Sequence, residues 1–293
     1  MREFPVVARS ALCLLAVLVP LAAARAGQTV DVLYAGSLVN LLERGVGPAF
    51  DRASGDRFRG YAGGSKQLAS EIKAKLRHAD IFISAAPKVN RALMGEANGN
   101  WVRWYVTFAQ SLLVIGYNPK SRFATAFGKE PWYEALLQRD IRLGRTDPKL
   151  DPKGALTLAL MKKAEAFYKM PGLSRRILGA ADNPRQIFPE ETLVGRLQSG
   201  QLDAGFFYAS ETADDRIPAA RLPAAVAPKA RYTITILRGA PHGQAAEAFL
   251  AYLLGPQGRA FLKQHGLDPV APAIVGDPAA APKGVKALAA KNG

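Results

Sequence analysis

One supersecondary unit occurs twice near the start of the chain and limits the folds open to it. Each copy has a short strand, a turn of glycine and serine, and a helix. Residues 30–34 and 57–61 predict the strands, the turns end at Ser37 and Ser65, and a third strand follows at residues 79–84. Strands that alternate with helices at this interval indicate right-handed β-α-β units. We therefore predict the α/β fold class, with mixed, mainly parallel sheets that carry helices on both faces.

The rest of the pattern predicts a second lobe and a return to the first. An apolar strand at residues 112–117, ended by Asn118-Pro119, marks the crossing. Residues 27–110 and 238–270 then form lobe 1, residues 111–237 form lobe 2, and a cleft lies between them. The alanine-, proline- and lysine-rich residues 271–293 are expected to be a loosely ordered tail. Further helices are predicted at residues 132–138, 153–168, 190–198 and 244–264, the last broken at Gly255-Pro256, and further strands at residues 204–208 and 231–237.

The N-terminal segment has the features of an export signal. Arg2 and Arg9 form a basic start, residues 11–24 are almost wholly apolar, and Ala24-Arg25-Ala26 offers a cleavage site. We predict that residues 1–26 are a cleaved signal peptide and that the mature chain is periplasmic. The single cysteine, Cys13, lies in this segment, which excludes disulfides, thiolate metal sites and a cysteine nucleophile from the mature chain.

The chain is strongly basic, with 39 lysines and arginines against 24 aspartates and glutamates and a formal net charge of +15. A field of this sign attracts anions and raises their rate of encounter. The basic residues are scattered, so a solvated surface without a specific role is the alternative interpretation. No basic helix or aromatic-basic motif indicates a nucleic-acid partner, and none is expected.

Both glycine-serine turns place a serine where a helix begins. Unpaired backbone N–H groups and the positive end of the helix dipole make such a position suited to an anion. At the carboxyl ends of adjacent parallel strands, Ser37 and Ser65 would face the same crevice. The alternative is that each serine is an ordinary N-cap of its helix.

The second lobe offers further candidates at the starts of helices and the end of a strand. Asp151-Pro152 precedes a predicted helix start at Lys153 and Gly154, and another helix starts around Glu191 and Thr192. Tyr208 ends a buried strand, where its hydroxyl could donate to an oxyanion. The alternatives are that Asp151 is only a helix cap and that the Tyr208 hydroxyl points into water.

Signatures of an enzyme are sparse, and we predict a protein that is not an enzyme and carries no cofactor. The S-x-x-K pattern at residues 70–73 falls inside a predicted helix and lacks its companion motifs. His78, His242 and His265 show no metal-ligand spacing. An exported serine hydrolase that uses Ser65 or Ser70 remains the alternative from a different class.

Six short motifs follow one another along the mature chain. They are Ala35-Gly36-Ser37-Leu38, Gly63-Gly64-Ser65, A-D-I-F-I-S-A at residues 79–85, L-V-I-G-Y-N-P at residues 113–119, Gly205-Phe206-Phe207-Tyr208, and F-L-A-Y-L-L-G-P-Q-G-R-A-F-L-K-Q-H-G at residues 249–266. Their order resembles that of the periplasmic molybdate- and tungstate-binding proteins of ABC transporters. The resemblance implies the type II periplasmic binding protein fold, an ABC permease as partner and contact with the membrane only through that permease. We also expect a monomer.

The resemblance also implies how the oxyanion would be held. Ser37 and Ser65 would each give a hydroxyl and a backbone N–H. The helix starts around Lys153 and Gly154 and around Glu191 and Thr192, with the Tyr208 hydroxyl, would complete a shell of neutral donors. No free metal cation is expected, because the metal arrives as molybdate or tungstate.

One departure from the family pattern leaves the coordination open. The sequence around Asp151 resembles the tungstate-type branch, in which two carboxylates expand the coordination of the bound metal. Near Tyr208, where the second carboxylate is expected, the chain has Phe207. Either Glu191 takes that role, or Asp151 only caps its helix and the oxyanion stays tetrahedral.

Other ligands and another role are possible on the same fold. The alternative ligands are sulfate, phosphate, an organic anion or ferric ion. The alternative role is a sensory subunit that works without a permease.

Overall fold

The computed structural model describes residues 27–290, so the predicted signal peptide lies outside it. The strands of this part of the chain are β1 (Thr29–Ala35), β2 (Arg57–Gly63), β3 (Ile81–Ser84), β4 (Trp104–Tyr117), β5 (Leu143–Gly144), β6 (Ala204–Tyr208), β7 (Ala219–Ala220), β8 (Lys229–Ile236), β9 (Asp268–Pro269) and β10 (Ile274–Gly276). The helices are α1 (Gly47–Ser54), α2 (Ser65–Lys73), α3 (Pro87–Arg91), α4 (Ala124–Lys129), α5 (Trp132–Leu136), α6 (Pro152–Tyr168), α7 (Leu173–Leu178), α8 (Leu193–Gln198), α9 (Ala209–Asp214), α10 (Gly243–Leu254), α11 (Pro256–Gln264) and α12 (Lys283–Ala290). A π-helix (Asn40–Val46) leads into α1, and 3-10 turns occupy Gly36–Leu38, Glu96–Asn98, Glu190–Thr192 and Pro278–Ala280. Within residues 27–290 no helix is long and apolar enough to cross a membrane.

The strands follow the order β2-β1-β3-β8-β4-β6-β5 and divide between two lobes. β1 pairs in parallel with β2 and with β3, as the repeated units predict. The long strand β4 serves both lobes, because its residues 106–112 pair with β8 and its residues 113–117 pair with β6. The predicted α/β fold class with two lobes is confirmed.

The structure differs from the sequence prediction in its balance of strand directions. Of the nine strand pairings within residues 27–290, three are parallel and six are antiparallel, so the sheet is mixed but not mainly parallel. The antiparallel pairs all involve β4 or β8. These are the strands by which the chain passes between the lobes.

Strand β8 also lies elsewhere than predicted. Residues 231–237 were expected in lobe 2, but β8 pairs with β3 on one side and with the first part of β4 on the other. Its alternating sequence predicts a strand and cannot reveal the partner. Because Tyr232 and Ile234 are fully buried between these neighbours, the chain has already returned to the first lobe before Lys229.

The C-terminal segment is ordered over most of its length, in contrast to the predicted loose tail. β10 pairs with the start of β4, and α12 packs beside α10. Ala281 and Val285 are both buried in the main core. Burial of these apolar side chains gives the segment the stabilisation that its composition alone does not suggest.

The two lobes meet where α2 and α6 begin. The backbone N–H groups of Lys66 and Gln67 both donate to the carbonyl oxygen of Leu150, each at 3.0 Å. Gly64 allows this approach, since a Cβ atom there would lie 2.8 Å from the same oxygen. These hydrogen bonds join the turn that carries Ser65 directly to the segment that carries Asp151.

Candidate functional site

Ser65 lies at the contact between the lobes and is fully buried. It is the first residue of α2, and its hydroxyl oxygen accepts the backbone N–H of Ala85 at 3.1 Å. The backbone N–H of Ser65 donates to the carboxylate of Asp151 across the lobe boundary. The alternative that Ser65 is an ordinary N-cap is therefore wrong, because Gly64 occupies the N-cap position and the Ser65 hydroxyl bonds to Ala85 instead.

Ser37 lies in the 3-10 turn after β1 and is partly exposed. Its hydroxyl forms a hydrogen bond of 3.0 Å with the Tyr232 hydroxyl on β8. It makes no side-chain capping bond either. The turn thus presents a pair of hydroxyl groups, one from each of two separated segments of the chain.

Asp151 is both a helix cap and a member of the buried site. Its Oδ1 accepts the backbone N–H of Lys153 at 2.8 Å and the Thr146 hydroxyl at 3.0 Å. The capping prediction is confirmed, with Pro152 in the first turn of α6 as expected. The same carboxylate faces Ser65, so the cap lies in the cleft between the lobes.

Lys153 carries a fully buried ammonium group. Its Nζ lies 2.8 Å from Glu190 Oε1 and between 2.7 and 2.8 Å from the two carboxylate oxygens of Glu211. Glu211 also accepts the backbone N–H of Tyr208 at 2.7 Å. The sequence predicted a site made of neutral donors, whereas the structure places a cation between two carboxylates beneath the cleft.

Gly154 follows in the first turn of α6 and packs against the preceding loop. A Cβ atom at this position would lie 2.4 Å from the carbonyl oxygen of Thr146 and 2.6 Å from the nitrogen of Pro148. Only a residue without a side chain lets the helix begin so close to that loop. Gly154 thereby fixes the positions of Asp151 and Lys153.

The turn of residues 190–192 places Glu190, rather than its neighbours, next to the buried cluster. Glu191 is exposed, and the Thr192 hydroxyl donates to the carbonyl of Pro189 at 3.1 Å. The Glu190 side chain is only 2% exposed. Whether Glu191 and Thr192 contact a ligand stays a prediction.

Tyr208 ends β6, as predicted, and its side chain is buried against Tyr232, with ring centroids 6.0 Å apart. Its hydroxyl is buried and has no hydrogen-bond partner within residues 27–290. An unpaired buried donor of this kind is costly to retain, and such groups are uncommon outside functional sites. The Tyr208 hydroxyl is therefore free to donate to a ligand.

Burial dominates the electrostatics of this site. It raises the pKa of Asp151, of Glu190 and of Glu211, against the opposing attraction of Lys153. Burial alone would lower the Lys153 pKa, but the nearby carboxylates more than offset this and raise it. Lys153 is thus held in its charged form, and burial likewise keeps the Tyr208 hydroxyl protonated by raising its pKa well above 10.

Two cavities border the cluster, and Glu190 lines both of them. One, of about 200 Å³, is lined by the Ser37 turn together with Glu190 and Glu211. The other, of about 150 Å³, is lined by Gly64 and Asp151 together with Glu190. Polar groups from both lobes therefore line the cleft next to the buried cluster.

Three members of the site did not emerge from the sequence. Glu211 stands three residues after Tyr208 and returns to its backbone N–H, a spacing that resembles a capping box and could have drawn attention to it. Tyr232 is one of several inward residues on an alternating strand. Glu190 and Glu191 are adjacent and chemically identical, so the sequence does not reveal which of the two side chains is buried in the site.

A polar cleft between two α/β lobes is a common place for a small-molecule binding site. The chain is a member of the family of bacterial extracellular solute-binding proteins, whose pattern matches residues 30–268. This is a family of binding proteins for solutes outside the cytoplasm and not a family of enzymes.

The chain is similar to two described proteins and to one solved structure. A protein of Haloferax volcanii described as a putative ABC transporter molybdenum-binding protein is 35% identical over 199 residues, covering 68% of this chain and 61% of that protein. The molybdate/tungstate-binding protein WtpA of Pyrococcus abyssi is 27% identical over 265 residues, covering 74% and 76%. The solved structure of the periplasmic molybdate-binding protein of Azotobacter vinelandii shares the fold, with a TM-score of 0.63, 20% identity, and coverage of 81% of this chain and 98% of that one.

Proposed function

We propose that this chain captures molybdate or tungstate in the cleft between its lobes and delivers it to an ABC importer. The observation that carries the proposal is the buried Tyr208 hydroxyl, which has no hydrogen-bond partner within residues 27–290. A tetrahedral oxyanion supplies the acceptor that this donor lacks. The names of the Haloferax and Pyrococcus relatives support the choice of metal.

In this proposal the ligand is held mainly by hydroxyl and backbone donors. Ser37 and Ser65 contribute their hydroxyl groups from the first lobe, and Tyr208 and the first turn of α6 at Gly154 contribute from the second, since the backbone N–H of Lys153 already donates to Asp151. Glu191 and Thr192 form the outer edge of the cleft. The donors match the lone pairs of a dianion, and closure of the lobes removes water from the bound oxygens.

The proposed setting is periplasmic. The chain works as a monomer after cleavage of its signal peptide and meets the membrane only through the permease. Sequence residues 1–26 and membership of an extracellular family support export. The positive net charge supports the collection of anions.

Thermal unfolding with a panel of anions tests the proposal. Molybdate and tungstate should raise the melting temperature at micromolar concentration, because a ligand that binds only the folded state stabilises it by mass action. Sulfate should act only at much higher concentration. Absence of a shift with every anion would rule the proposal out.

Hydrogen phosphate is a second candidate, favoured by one specific observation. The buried Glu190 Oε2 has no donor within residues 27–290, and a ligand that keeps a proton could supply one. Competition between phosphate and molybdate, followed by calorimetry, separates the two. Displacement of bound molybdate by equimolar phosphate would favour this second candidate.

A further inference from the structure

A groove on the surface of the first lobe lies between α2 and α3, outside the cleft. It encloses about 250 Å³, and its floor is apolar, with Ala69 from α2, Val89 from α3 and Ala92 from the end of α3. Residues three and four positions apart share one face of a helix, so both helices turn a face toward this floor. An apolar patch with a polar rim is typical of a contact with another protein.

The rim of this groove carries positive charge. Lys66, Lys73 and Lys88 line it, and no carboxylate does. None of the three lysines takes part in an ion pair within residues 27–290. Lys73 Nζ donates to the neutral side-chain amide of Asn98 at 3.0 Å, and Lys88 is exposed. The groove therefore attracts a partner that brings negative charge together with an apolar side chain.

One edge of the groove is attached to the second lobe. Lys66 Nζ donates to the carbonyl oxygen of Pro148 at 2.7 Å, and the Lys66 backbone N–H donates to the carbonyl oxygen of Leu150 at 3.0 Å. The side chain of Leu150 is 47% exposed at this boundary. Closure of the lobes thus brings an exposed apolar residue of the second lobe beside the groove of the first.

We propose that the α2–α3 groove is a docking surface of this chain and receives an acidic segment with a protruding apolar side chain from the permease of the importer. This inference rests on the proposed function, which supplies the permease as partner. The apolar side chain enters the floor between Ala69 and Val89, and the carboxylates of the segment pair with Lys73 and Lys88. A concave floor accommodates a protruding side chain, which the flat headgroup layer of a membrane does not supply.

The test measures docking through the activity of the importer. The permease and ATPase subunits are reconstituted together in phosphatidylcholine liposomes, and ATP hydrolysis is followed as the concentration of the molybdate-loaded chain is raised. Lys88→Glu reverses a charge on the rim, and Ala92→Trp fills the groove without a change of charge. Lys263→Glu, an exposed lysine on α11 of the same lobe, is the matched control. Calorimetry with molybdate checks that each variant is folded and loaded.

Both groove variants should raise the concentration of chain that gives half-maximal ATP hydrolysis by about 10-fold or more, because charge attraction and fit both contribute to docking. The control should stay at the wild-type value, and the dissociation constant for molybdate should be the same in all four proteins. Added salt should raise the half-maximal concentration for the wild type and raise it less for Lys88→Glu, since screening removes an attraction that this variant has already lost.

Two results would overturn the inference while leaving oxyanion capture intact. One is a half-maximal concentration at the wild-type value in both groove variants when they bind molybdate normally. The other is binding to phosphatidylglycerol vesicles without importer that Lys88→Glu abolishes, which would make the groove a lipid contact. Calorimetry on the wild type does not involve the groove, so its failure to detect molybdate or tungstate would identify a failure of the proposed function, and the inference would fall with it.

Discussion

At the scale of single residues, the Tyr208 hydroxyl is the group most directly committed to a ligand. It is buried, protonated and unpaired within the described part of the chain. A donor in that state contributes little to the free energy of unfolding of the unliganded protein. It contributes to the free energy of binding once a ligand supplies an acceptor.

Tyr208→Phe should therefore weaken the binding of molybdate without lowering stability. A hydrogen bond to a charged acceptor contributes about 1.5–3 kcal/mol, which corresponds to a loss of affinity of about 10- to 100-fold. Calorimetry measures the affinity, and urea denaturation measures the free energy of unfolding. Tyr133→Phe, on α5, is the control. Equal affinity in the wild type and Tyr208→Phe would remove Tyr208 from the site.

The residues that the sequence predicted share a local signal. Ser37, Ser65 and Tyr208 end or follow strands, and Asp151 precedes a proline at a helix start, so short-range chemistry is enough to mark them. Tyr232, which the sequence did not predict, lies next to Ser37 only because β8 pairs with β3 and β4. That pairing depends on packing over the whole sheet, which no local pattern specifies.

At the scale of elements, α6 positions the second half of the site. Asp151 caps it, Lys153 is directed into the buried cluster, and Gly154 lets the first turn lie against the loop at Thr146. The sequence predicted this helix to within a residue, as well as β6 and the break between α10 and α11 at Gly255-Pro256. Proline, glycine and capping residues define these boundaries locally.

Gly154→Ala should disturb the site through the helix. The added methyl group would overlap the Thr146 carbonyl, and overpacking of this kind costs about 1–3 kcal/mol, more than the gain of up to about 1 kcal/mol in helix propensity. Urea denaturation should show a net loss of stability. Gly284→Ala in α12, where an added Cβ atom would meet no neighbouring group within 4 Å, is the control and should be neutral or stabilising. A stable Gly154→Ala protein with wild-type affinity would contradict the proposed role of this turn.

At the scale of the whole molecule, the structure represents a closed arrangement of the lobes. Hydrogen bonds from Lys66 and Gln67 to Leu150 cross the boundary, and Asn40 donates to Asp215 at 3.0 Å. The sequence predicted two lobes from the repeated units but misplaced β8 and the C-terminal segment. Both errors arise because hydrophobic alternation and composition do not specify the partner of a strand or helix.

Gly36→Ala tests the importance of closure. Its methyl group would meet Glu190 across the cleft and hold the lobes apart, so affinity for molybdate should fall about 10-fold or more while the cores of the lobes stay intact. Small-angle scattering should show a larger radius of gyration with ligand present than the wild type has. Gly128→Ala, which has open space around it, is the control. Wild-type compaction of Gly36→Ala on addition of molybdate would contradict this account.

The most direct test of the central claim is a measurement of metal content. The mature protein is incubated with a mixture of molybdate, tungstate, sulfate and phosphate, freed of unbound ions by gel filtration, and analysed for its elements by mass spectrometry. The account predicts about one atom of molybdenum or tungsten per chain in the wild type, and a clear loss in Tyr208→Phe. Protein that retains neither metal, or that retains phosphorus in their place, would contradict it.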